Sequence, residues 1–446
     1  MGSDLRFSHR RGGASAVKRS LVRLGISALA LLAASLANAT DHYVDGSAAP
    51  SGDGAGWATA WKAFSAINWA NVHPGDTIHV SGGTAGQSYR GPLEPKVSGA
   101  IGSPIVIARA KTPGHDGPVL VDGRHVVPAC VVINNRSNVE VYGIDVKSCG
   151  EAGVKIHASR NIIYQGGRVQ AQSRGFHVWR SQSVLLSKNV VTTPTWTYLE
   201  TDGIYSQENE SNKYIKNVIN ISNGEPAGHD DGIQSNHDSN TLYDGNYIEQ
   251  RNSKEVNAQG IFIVDALGRT TAINNVVYGP NTNNGMIKFL NLSGTNGKID
   301  IFNNTLVGGK WGTILIQDAP DSRIYNNILY STAANGSGIA LVPGSLPPAA
   351  NIDFNFYYVP NGKPGYIVGY STYGWSRWKA RGYEKNGVVR SLIAPGSLFD
   401  KQFTPLAGSP VIDAGATLGL VRRDRIGRPR PRGAHYDIGA YEGPRP

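Results

Sequence analysis

The sequence predicts an all-β protein folded as a right-handed parallel β-helix, a solenoid of stacked coils, with a short N-terminal capping helix. Two motifs that recur from about residue 137 predict this fold. One is a glycine followed by an apolar residue or threonine, and the other is an asparagine followed by a pair of strand-forming residues. The glycines, spaced by 22 to 29 residues, are Gly153, Gly175, Gly203, Gly232, Gly260, Gly285, Gly312 and Gly338. The asparagines are Asn189, Asn217, Asn246, Asn275, Asn304 and Asn327.

The length and content of the repeat exclude other repeat folds. It is too long for a leucine-rich repeat, and its short alternating β segments leave no room for the helix pairs of helical solenoids. A β-sandwich lacks such fixed registers, and a propeller blade is longer. Because one coil cannot bury its apolar face alone, stacking must supply the core. We expect the aligned asparagines to hydrogen-bond to one another along the stack.

Composition excludes several classes of protein. The chain has 446 residues, with 43 Lys and Arg against 33 Asp and Glu, a formal charge of +10. The excess is concentrated in residues 1–39 and in the arginine-rich end, and residues 40–421 are near neutral. This distribution argues against a nucleic-acid partner. With 55 Gly and 40% apolar residues, neither a helical bundle nor global disorder is expected.

The first 39 residues are typical of a secretory signal peptide. A basic segment leads into an apolar run near residues 20–34, and Ala37-Asn38-Ala39 supplies a cleavage site. An N-terminal membrane anchor is the alternative, but the run is short for a bilayer. The sequence therefore predicts an extracellular or periplasmic protein without a membrane span after cleavage. In such a compartment Cys130 and Cys149 either form a disulfide or are buried as small apolar residues, and both alternatives stay open.

The exported chain divides into three predicted segments. Residues 40–125 hold the N-terminal cap and first coils, residues 126–358 the β-helix with the candidate site, and residues 359–446 an irregular segment packing on it. Within the first, residues 57–70 predict a short amphipathic helix that covers the open end of the solenoid. Its apolar face consists of Trp57, Trp61, Phe64 and Ile67.

Acidic residues gather beside two neighbouring repeat glycines. Asp202 precedes Gly203, and Asp230 and Asp231 precede Gly232 one coil later. Because Asp202 and Asp231 share a register, stacking should place them about one strand spacing, roughly 5 Å, apart. Carboxylates this close raise one another's pKa unless a cation or shared proton relieves them. Although Asp-Gly is also ordinary turn chemistry, other coils carry Ala, Arg or Gln in this register, which favours a functional cluster.

Alternation predicts which side chains share a surface with the cluster. Residues two and four positions after each glycine should face outward. The candidate substrate-binding residues selected near this polar and aromatic surface are Arg174, His177, Trp179, Arg180 and Tyr205. Counted strictly from Gly285, Lys288 would be buried, so we expect the register to shift by one residue, with Ile287 inside and Met286 and Lys288 outside. A solvated surface lysine is the alternative for Lys288.

The chain resembles secreted bacterial β-helix proteins of the pectate-lyase-like superfamily, including in its terminal segments Ser409–Gly415 and Tyr436–Glu442. The aspartate triplet and Lys288 are similar to those of calcium-dependent pectate lyases that use a lysine base. The resemblance implies that Asp202, Asp230 and Asp231 bind calcium, with Gln234 where the family has its last aspartate. Lys288 would be the base, and Asp202, Asp231 and His229 are further catalytic candidates. The implied reaction is β-elimination from a uronic-acid-containing, anionic polysaccharide.

Two alternatives remain. The same aspartates, followed by Met286-Ile287-Lys288, resemble polygalacturonases, which are β-helix hydrolases, although Met286 stands where that family has arginine. In a hydrolase one carboxyl acts as acid and another as base for water. A uronate epimerase belongs with this alternative. The other is a non-catalytic carbohydrate-binding protein in which the aspartates hold a structural calcium. In each case we expect a monomer.

Overall fold

A computed structural model describes residues 39–193, 201–222, 229–250, 258–280, 285–309, 311–332, 336–342, 346–359, 363–367, 371–390, 396 and 398–444. The chain divides into two compact units at residue 37. Apart from Ala39, the predicted signal peptide lies outside the described residues. The second unit, from Asn38 to Pro446, carries the fold. No helix in its described ranges is long and apolar enough to cross a membrane.

Three long sheets make up the second unit. Sheet 1 consists of Asp41–Val44, Thr77–Val80, Ile105–Arg109, Ser137–Tyr142, Arg160–Gln165, Gln182–Ser187, Lys213–Ile215, Leu242–Asp244, Arg269–Ile273, Lys298–Phe302, Arg323–Tyr325 and Ile352–Asp353. Sheet 2 consists of Gln87–Arg90, Val119–Asp122, Ile144–Cys149, Arg168–Ala171, Val190–Thr193, Val218–Ile221, Tyr247–Gln250, Val276–Gly279, Thr305–Gly308, Ile328–Tyr330, Phe356–Tyr358 and Val388–Arg390. Sheet 3 consists of Ala129–Asn134, Ala152–His157, Arg174–Trp179, Asp202–Gln207, Ile233–Asn236, Ile261–Val264, Ile287–Leu290, Ile314–Gln317, Ile339–Val342, Gly365–Ile367 and Ser371–Tyr373.

The chain passes through the three sheets in turn and adds one parallel strand to each per coil. One coil, for example, runs through Arg160–Gln165, Arg168–Ala171 and Arg174–Trp179. Every strand pairing is parallel except that of Gly365–Ile367 with Ser371–Tyr373, among the strands that the structure describes. Inward side chains such as Phe176 and Ile204 stack as a continuous buried core. The predicted parallel β-helix is confirmed.

The repeat glycines mark a close approach between sheets 3 and 2. A β-carbon on Gly203 would lie 2.3 Å from Cγ2 of Ile219, and one on Gly232 would lie 2.3 Å from Cγ2 of Ile248. Both glycines therefore face the interior, as does the residue that follows each of them, such as the buried Ile204. On the coil of Gly175, the residue before the glycine, Arg174, lies over the outward-facing Tyr205 ring, whereas the corresponding Asp202 and Asp231 are fully buried.

The predicted asparagine ladder is present. Each of the six repeat asparagines donates its side-chain amide to the Oδ1 of the next, from Asn189 to Asn217 at 3.1 Å through to Asn327, which bonds to Asn355 at 2.9 Å. The ladder ends at a carboxylate, since the Asn355 amide donates to Oε1 of the buried Glu384 at 2.7 Å. Stacked amides thus satisfy buried polar groups at one corner of the coils from Asn189 to Asn355.

The predicted N-terminal helix is wrong in its geometry. Residues 57–71 form three separate 3-10 turns, Trp57–Thr59, Phe64–Ala66 and Trp69–Asn71. A continuous helix is interrupted because the backbone of Trp61 bonds to the first strand, donating to Tyr43 O at 2.9 Å and accepting from Asp45 N at 2.8 Å. Trp61, Phe64 and Ile67 are nevertheless buried in the main core, as their pattern predicts, whereas Trp57 is only partly buried and stacks on His115. The α-helix of the described ranges is Trp375–Ala380, and a fourth 3-10 turn spans Ala349–Asn351.

Two further features stabilise the coils. Cys130 and Cys149 form a disulfide, which decides between the two alternatives for these residues. The C-terminal residues pack Val421 and Tyr436 against Ile273 and Phe302, on the outer face of sheet 1. Within this segment Arg430 is buried and pairs with Glu442 at 2.7 Å, so not all of the terminal arginines are solvated.

Candidate functional site

Asp202 and Asp231 lie on neighbouring coils at the edge of sheet 3. The backbone N–H of Asp231 donates to Oδ1 of Asp202 at 3.2 Å. The backbone N–H of Gln259, one coil further on, donates to Oδ1 of Asp231 at 2.8 Å. The predicted stacking of the two aspartates is therefore found, whereas their functional role stays a prediction. One oxygen of each carboxylate is used to hold the next coil in register.

The carboxylate cluster is defined by Asp202, Asp230 and Asp231, and all three side chains are fully buried. Burial raises the pKa of Asp231 well above its usual range, and the charges of Asp202 and Asp230 raise it further. The N–H of Gln259 and the charge of Lys288 oppose this increase. A proton or a cation at Asp231 is thus favoured.

Lys288 lies on the same outer surface. Ile287 pairs with Ile261, and Lys288 pairs with Phe262, which is the register shift that the sequence predicts. Met286, expected outside, is buried, because it occupies the inward-facing register of Gly260 on the preceding coil. The Lys288 Nζ lies 4.6 Å from the centre of the Phe262 ring. Burial lowers the pKa of Lys288, and the charge of Asp231 partly offsets that decrease.

His229 and Phe262 connect the cluster to Lys288. The Nδ1 of His229 lies 3.3 Å from Oδ2 of Asp231, and its ring centre lies 5.4 Å from that of Phe262. Phe262 therefore contacts a histidine and a lysine beside the same aspartate. Alternation along the strand predicts its outward position, whereas its contacts with His229 and Lys288 were not predicted.

A second group of predicted residues lies on the coil of Asp202 and the coil before it. The guanidinium of Arg174 lies 4.4 Å from the centre of the Tyr205 ring, which places the residue before the glycine on the outer surface. His177 packs edge-on against Tyr205 at 5.3 Å. Burial, followed by the charges of Arg174 and Lys155, lowers the pKa of His177 to about 4.

Glu151 is a member of this surface that sequence reasoning missed. Its Oε1 lies 3.2 Å from Lys155 Nζ and 3.4 Å from His177 Nδ1. Glu151 lies directly before the strand Ala152–His157, at a position that neither repeated motif of the sequence marks. It lowers the local positive charge that Arg174 and Lys155 create.

The remaining predicted residues extend the outer face. Trp179 stacks on His157 at 4.6 Å and has the Arg180 guanidinium 4.7 Å from its ring centre. Arg180 is exposed and pairs with Glu208 at 2.7 Å. Gln234 pairs with Tyr205 on one side and with Phe262 on the other, so it lies in the same column as these rings.

The donors of the carboxylate cluster fit calcium chemically. Within the described ranges no three His, Cys, Asp or Glu side chains form a ready-made metal site. The three buried carboxylates nevertheless supply only oxygen, and Asp231 Oδ2 forms no hydrogen bond of good geometry, although His229 Nδ1 lies 3.3 Å from it. Oxygen donors with concentrated negative charge are what calcium prefers.

Comparisons with known proteins bear on the fold. No protein-family model and no curated protein sequence matches the chain. The crystal structure of pectate lyase Pel9A superposes with a TM-score of 0.59 at 15% identity, covering 91% of this chain and 96% of that one. The structure of XylC in complex with xylose gives a TM-score of 0.56 at 11% identity, covering 91% and 99%. Identities this low establish the architecture alone. The chain therefore shares its overall architecture, a parallel β-helix, with these two structures.

Proposed function

We propose that this protein is a polysaccharide lyase that cleaves a uronic-acid-containing polysaccharide by β-elimination. The observation that carries the proposal is the placement of Lys288, with its lowered pKa, on the surface that holds the buried aspartates. A lysine of lowered pKa is a base that works closer to neutral pH. The fold shared with pectate lyase Pel9A supports the same function. The predicted signal peptide supports action outside the cytoplasm.

The proposed reaction begins with proton transfer to Lys288. The neutral Nζ removes the proton from the carbon next to the uronate carboxylate. The electron pair of that C–H bond becomes a carbon–carbon double bond, and the bond to the glycosidic oxygen breaks. The oxygen leaves with the released sugar chain and takes a proton from water. Arg174 and Tyr205, which are in contact, would hold a neighbouring sugar through its carboxylate and its ring face.

Calcium is the cofactor that we propose for this site. Asp202, Asp230 and Asp231 would hold it, with the amide oxygen of Gln234 as a further donor from the same face. When bound, the ion would neutralise the uronate carboxylate and acidify the neighbouring C–H group. In this proposal the buried aspartates concentrate the negative charge that holds the cation, and the cation in turn binds the anionic substrate.

The decisive experiment follows two products of one incubation. The secreted chain is mixed with polygalacturonate or alginate, with calcium and then with chelator, and ultraviolet absorbance of unsaturated uronates is recorded beside new reducing ends. We expect both signals with calcium, and neither with chelator or with Lys288→Ala. The control Lys401→Ala, at an exposed residue of the C-terminal segment, should keep full activity. Reducing ends without absorbance would overturn elimination.

A glycoside hydrolase is the second candidate, and the raised pKa of Asp231 specifically favours it. A carboxyl whose pKa is raised holds its proton to higher pH, which suits a general acid, and a second carboxylate beside it would be the base that hydrolysis needs. The same incubation separates the two, because hydrolysis produces no double bond. A protein that produces neither signal but binds the polymers would be a carbohydrate-binding β-helix.

A further inference from the structure

A groove on the outer face of sheet 1 has no part in the chemistry proposed above. It has a volume of about 880 Å³ and lies over the first coils, with His79, Ala108, Arg109 and Tyr142 among its lining residues. A second cavity of about 430 Å³ lies over the same sheet and reaches as far as Lys213. Further along the stack, this face is covered by the C-terminal residues Val421 and Tyr436. The groove therefore opens on the part of sheet 1 that precedes this cover.

The floor of the groove has a gap in a column of larger side chains. Tyr43, His79, Ala108, Tyr142 and Gln165 occupy one register on five successive strands. Tyr43 stacks on His79 with ring centres 5.4 Å apart. Ala108, between His79 and Tyr142, has the smallest side chain of the column and leaves the gap. The backbones of His79 and Tyr142 are two strand spacings, about 10 Å, apart. A sugar ring fits between two such amphipathic rings, which offer both a face and a polar atom.

The walls of the groove give it a positive charge. Arg109 and Lys111 are exposed and form no ion pair with any residue that the structure describes, and the same holds for Lys213. The acids nearby lie against other groups, since Asp41 pairs with His79 at 2.9 Å and Glu140 accepts the Tyr142 hydroxyl at 2.6 Å. Asp145 accepts the Arg168 N–H at 2.7 Å, and the charge of Arg109 acts on it as well. Unpaired cations along an open groove favour an anionic ligand.

We propose that this groove is a second, non-catalytic binding site for an anionic polysaccharide. The choice of ligand rests on the proposed function, but the groove and its charge do not. The carboxylate cluster belongs to sheet 3, so a polymer held on sheet 1 leaves Lys288 accessible. A second attachment point on the same polymer raises its effective concentration at the first. The groove would thus tether the substrate between cleavage events.

Binding without turnover tests the proposal. In a Lys288→Ala background, the double variant Arg109→Glu/Lys111→Glu is compared with Lys385→Glu/Lys401→Glu, which reverses two exposed charges of the C-terminal segment. Migration is measured in native gels that contain polygalacturonate, alginate or uncharged dextran. We expect the groove variant to bind the anionic polymers about five- to tenfold more weakly than the control variant, with no change on dextran. Equal retardation of the two variants, or no retardation of the parent by either anionic polymer, would overturn the proposal that the groove binds polysaccharide.

A kinetic comparison separates this proposal from the proposed function. With Lys288 intact, the groove variant should show a KM for long polymer that is several-fold higher, and an unchanged KM for a trisaccharide that is too short to reach both sites. An unchanged KM on both substrates would reject the proposed binding site in the groove, and it would leave the proposed lyase function unaffected. Loss of activity on the trisaccharide would mean that the residues act on the catalytic face, which also contradicts the groove. Unfolding temperatures of both variants show whether either is misfolded.

Discussion

The Nζ of Lys288 lies 4.6 Å from the centre of the Phe262 ring, its partner on the neighbouring coil. An aromatic face stabilises an ammonium ion relative to the neutral amine, so Phe262 opposes the effect of burial, which lowers the lysine pKa. The ring therefore sets how far the pKa of the proposed base falls. This contact makes the protonation of Lys288 sensitive to a residue that has no proton to transfer.

Replacing Phe262 by leucine should move the pH dependence of the proposed lyase. A cation–π contact worth roughly 0.5–1 kcal/mol corresponds to about half a pKa unit. Its loss lowers the pKa of Lys288, and because the base works as the neutral amine, the acidic limb of kcat/KM should shift to lower pH. The measurement is kcat/KM against pH, with Phe262→Tyr as the control that keeps the ring. An unshifted limb in Phe262→Leu would show that Lys288 is not the titrating base.

Asp231→Asn should stabilise the metal-free protein. The raised pKa of Asp231 means that the folded state holds a proton that the unfolded state releases, so ionisation at neutral pH favours unfolding. An asparagine keeps the acceptor for the Gln259 N–H and removes the cost of protonating a carboxyl on folding. We expect the free energy of unfolding in chelator to rise by about 1–3 kcal/mol at neutral pH. Activity should be lost at the same time.

With calcium bound, the wild-type protein should become more stable than the Asp231→Asn variant. If the carboxylate cluster binds the ion, calcium raises the unfolding temperature of the wild-type protein and has less effect on Asp231→Asn, because a ligand stabilises only the state that binds it. Thermal unfolding with calcium and with chelator measures both. A wild-type protein whose unfolding temperature ignores calcium would contradict the proposed cofactor.

The repeat pattern of the sequence predicted the fold because it reflects contacts between coils. Six of the eight repeat glycines recur since a β-carbon would collide with a sheet 2 side chain, whereas one on Gly285 or Gly312 would meet sheet 3. The asparagines recur since each amide bonds to the next. The stacking of Asp202 on Asp231 and the shifted register of Lys288 follow from the same periodicity. Position within a repeat thus determines position on the surface.

Features that depend on a single coil were not predictable. Glu151 acquires its role from Lys155 and His177, which no repeat relates to it. The helical pattern of residues 57–70 placed three of its four apolar side chains in the core, but it gave no indication that the backbone of Trp61 would hydrogen-bond to the first strand. The disulfide required the distance between two strands, which a spacing of 19 residues does not determine.

Gly203→Ala tests the close approach of sheets 3 and 2. The added methyl group would lie 2.3 Å from Ile219 Cγ2 and 2.5 Å from the backbone oxygen of Gly232. Relief requires the strand that carries Asp202 to move, so we expect a loss of about 1–3 kcal/mol in the free energy of unfolding, together with weaker activity. Gly56→Ala is the matched control, because nothing lies within 4 Å of its added carbon. Equal stability of the two variants would refute the steric explanation of the repeat.

Glu384 should make the stability of the whole solenoid depend on pH. It ends the asparagine ladder, accepting from the Asn355 amide at 2.7 Å and from the Tyr357 hydroxyl at 2.6 Å, and its burial raises its pKa from 4.5 to about 8. Between these two values the folded state retains a proton that the unfolded chain has lost. Unfolding then releases a proton, so the free energy of unfolding should fall as pH rises from 4.5 to about 8 and level off above that value. Denaturant titrations across this range measure the slope, and Glu384→Gln, which cannot ionise, should flatten it. A slope that persists in Glu384→Gln would assign the pH dependence to another buried acid. Asp238, whose pKa burial raises to about 6, would then be the first residue to replace.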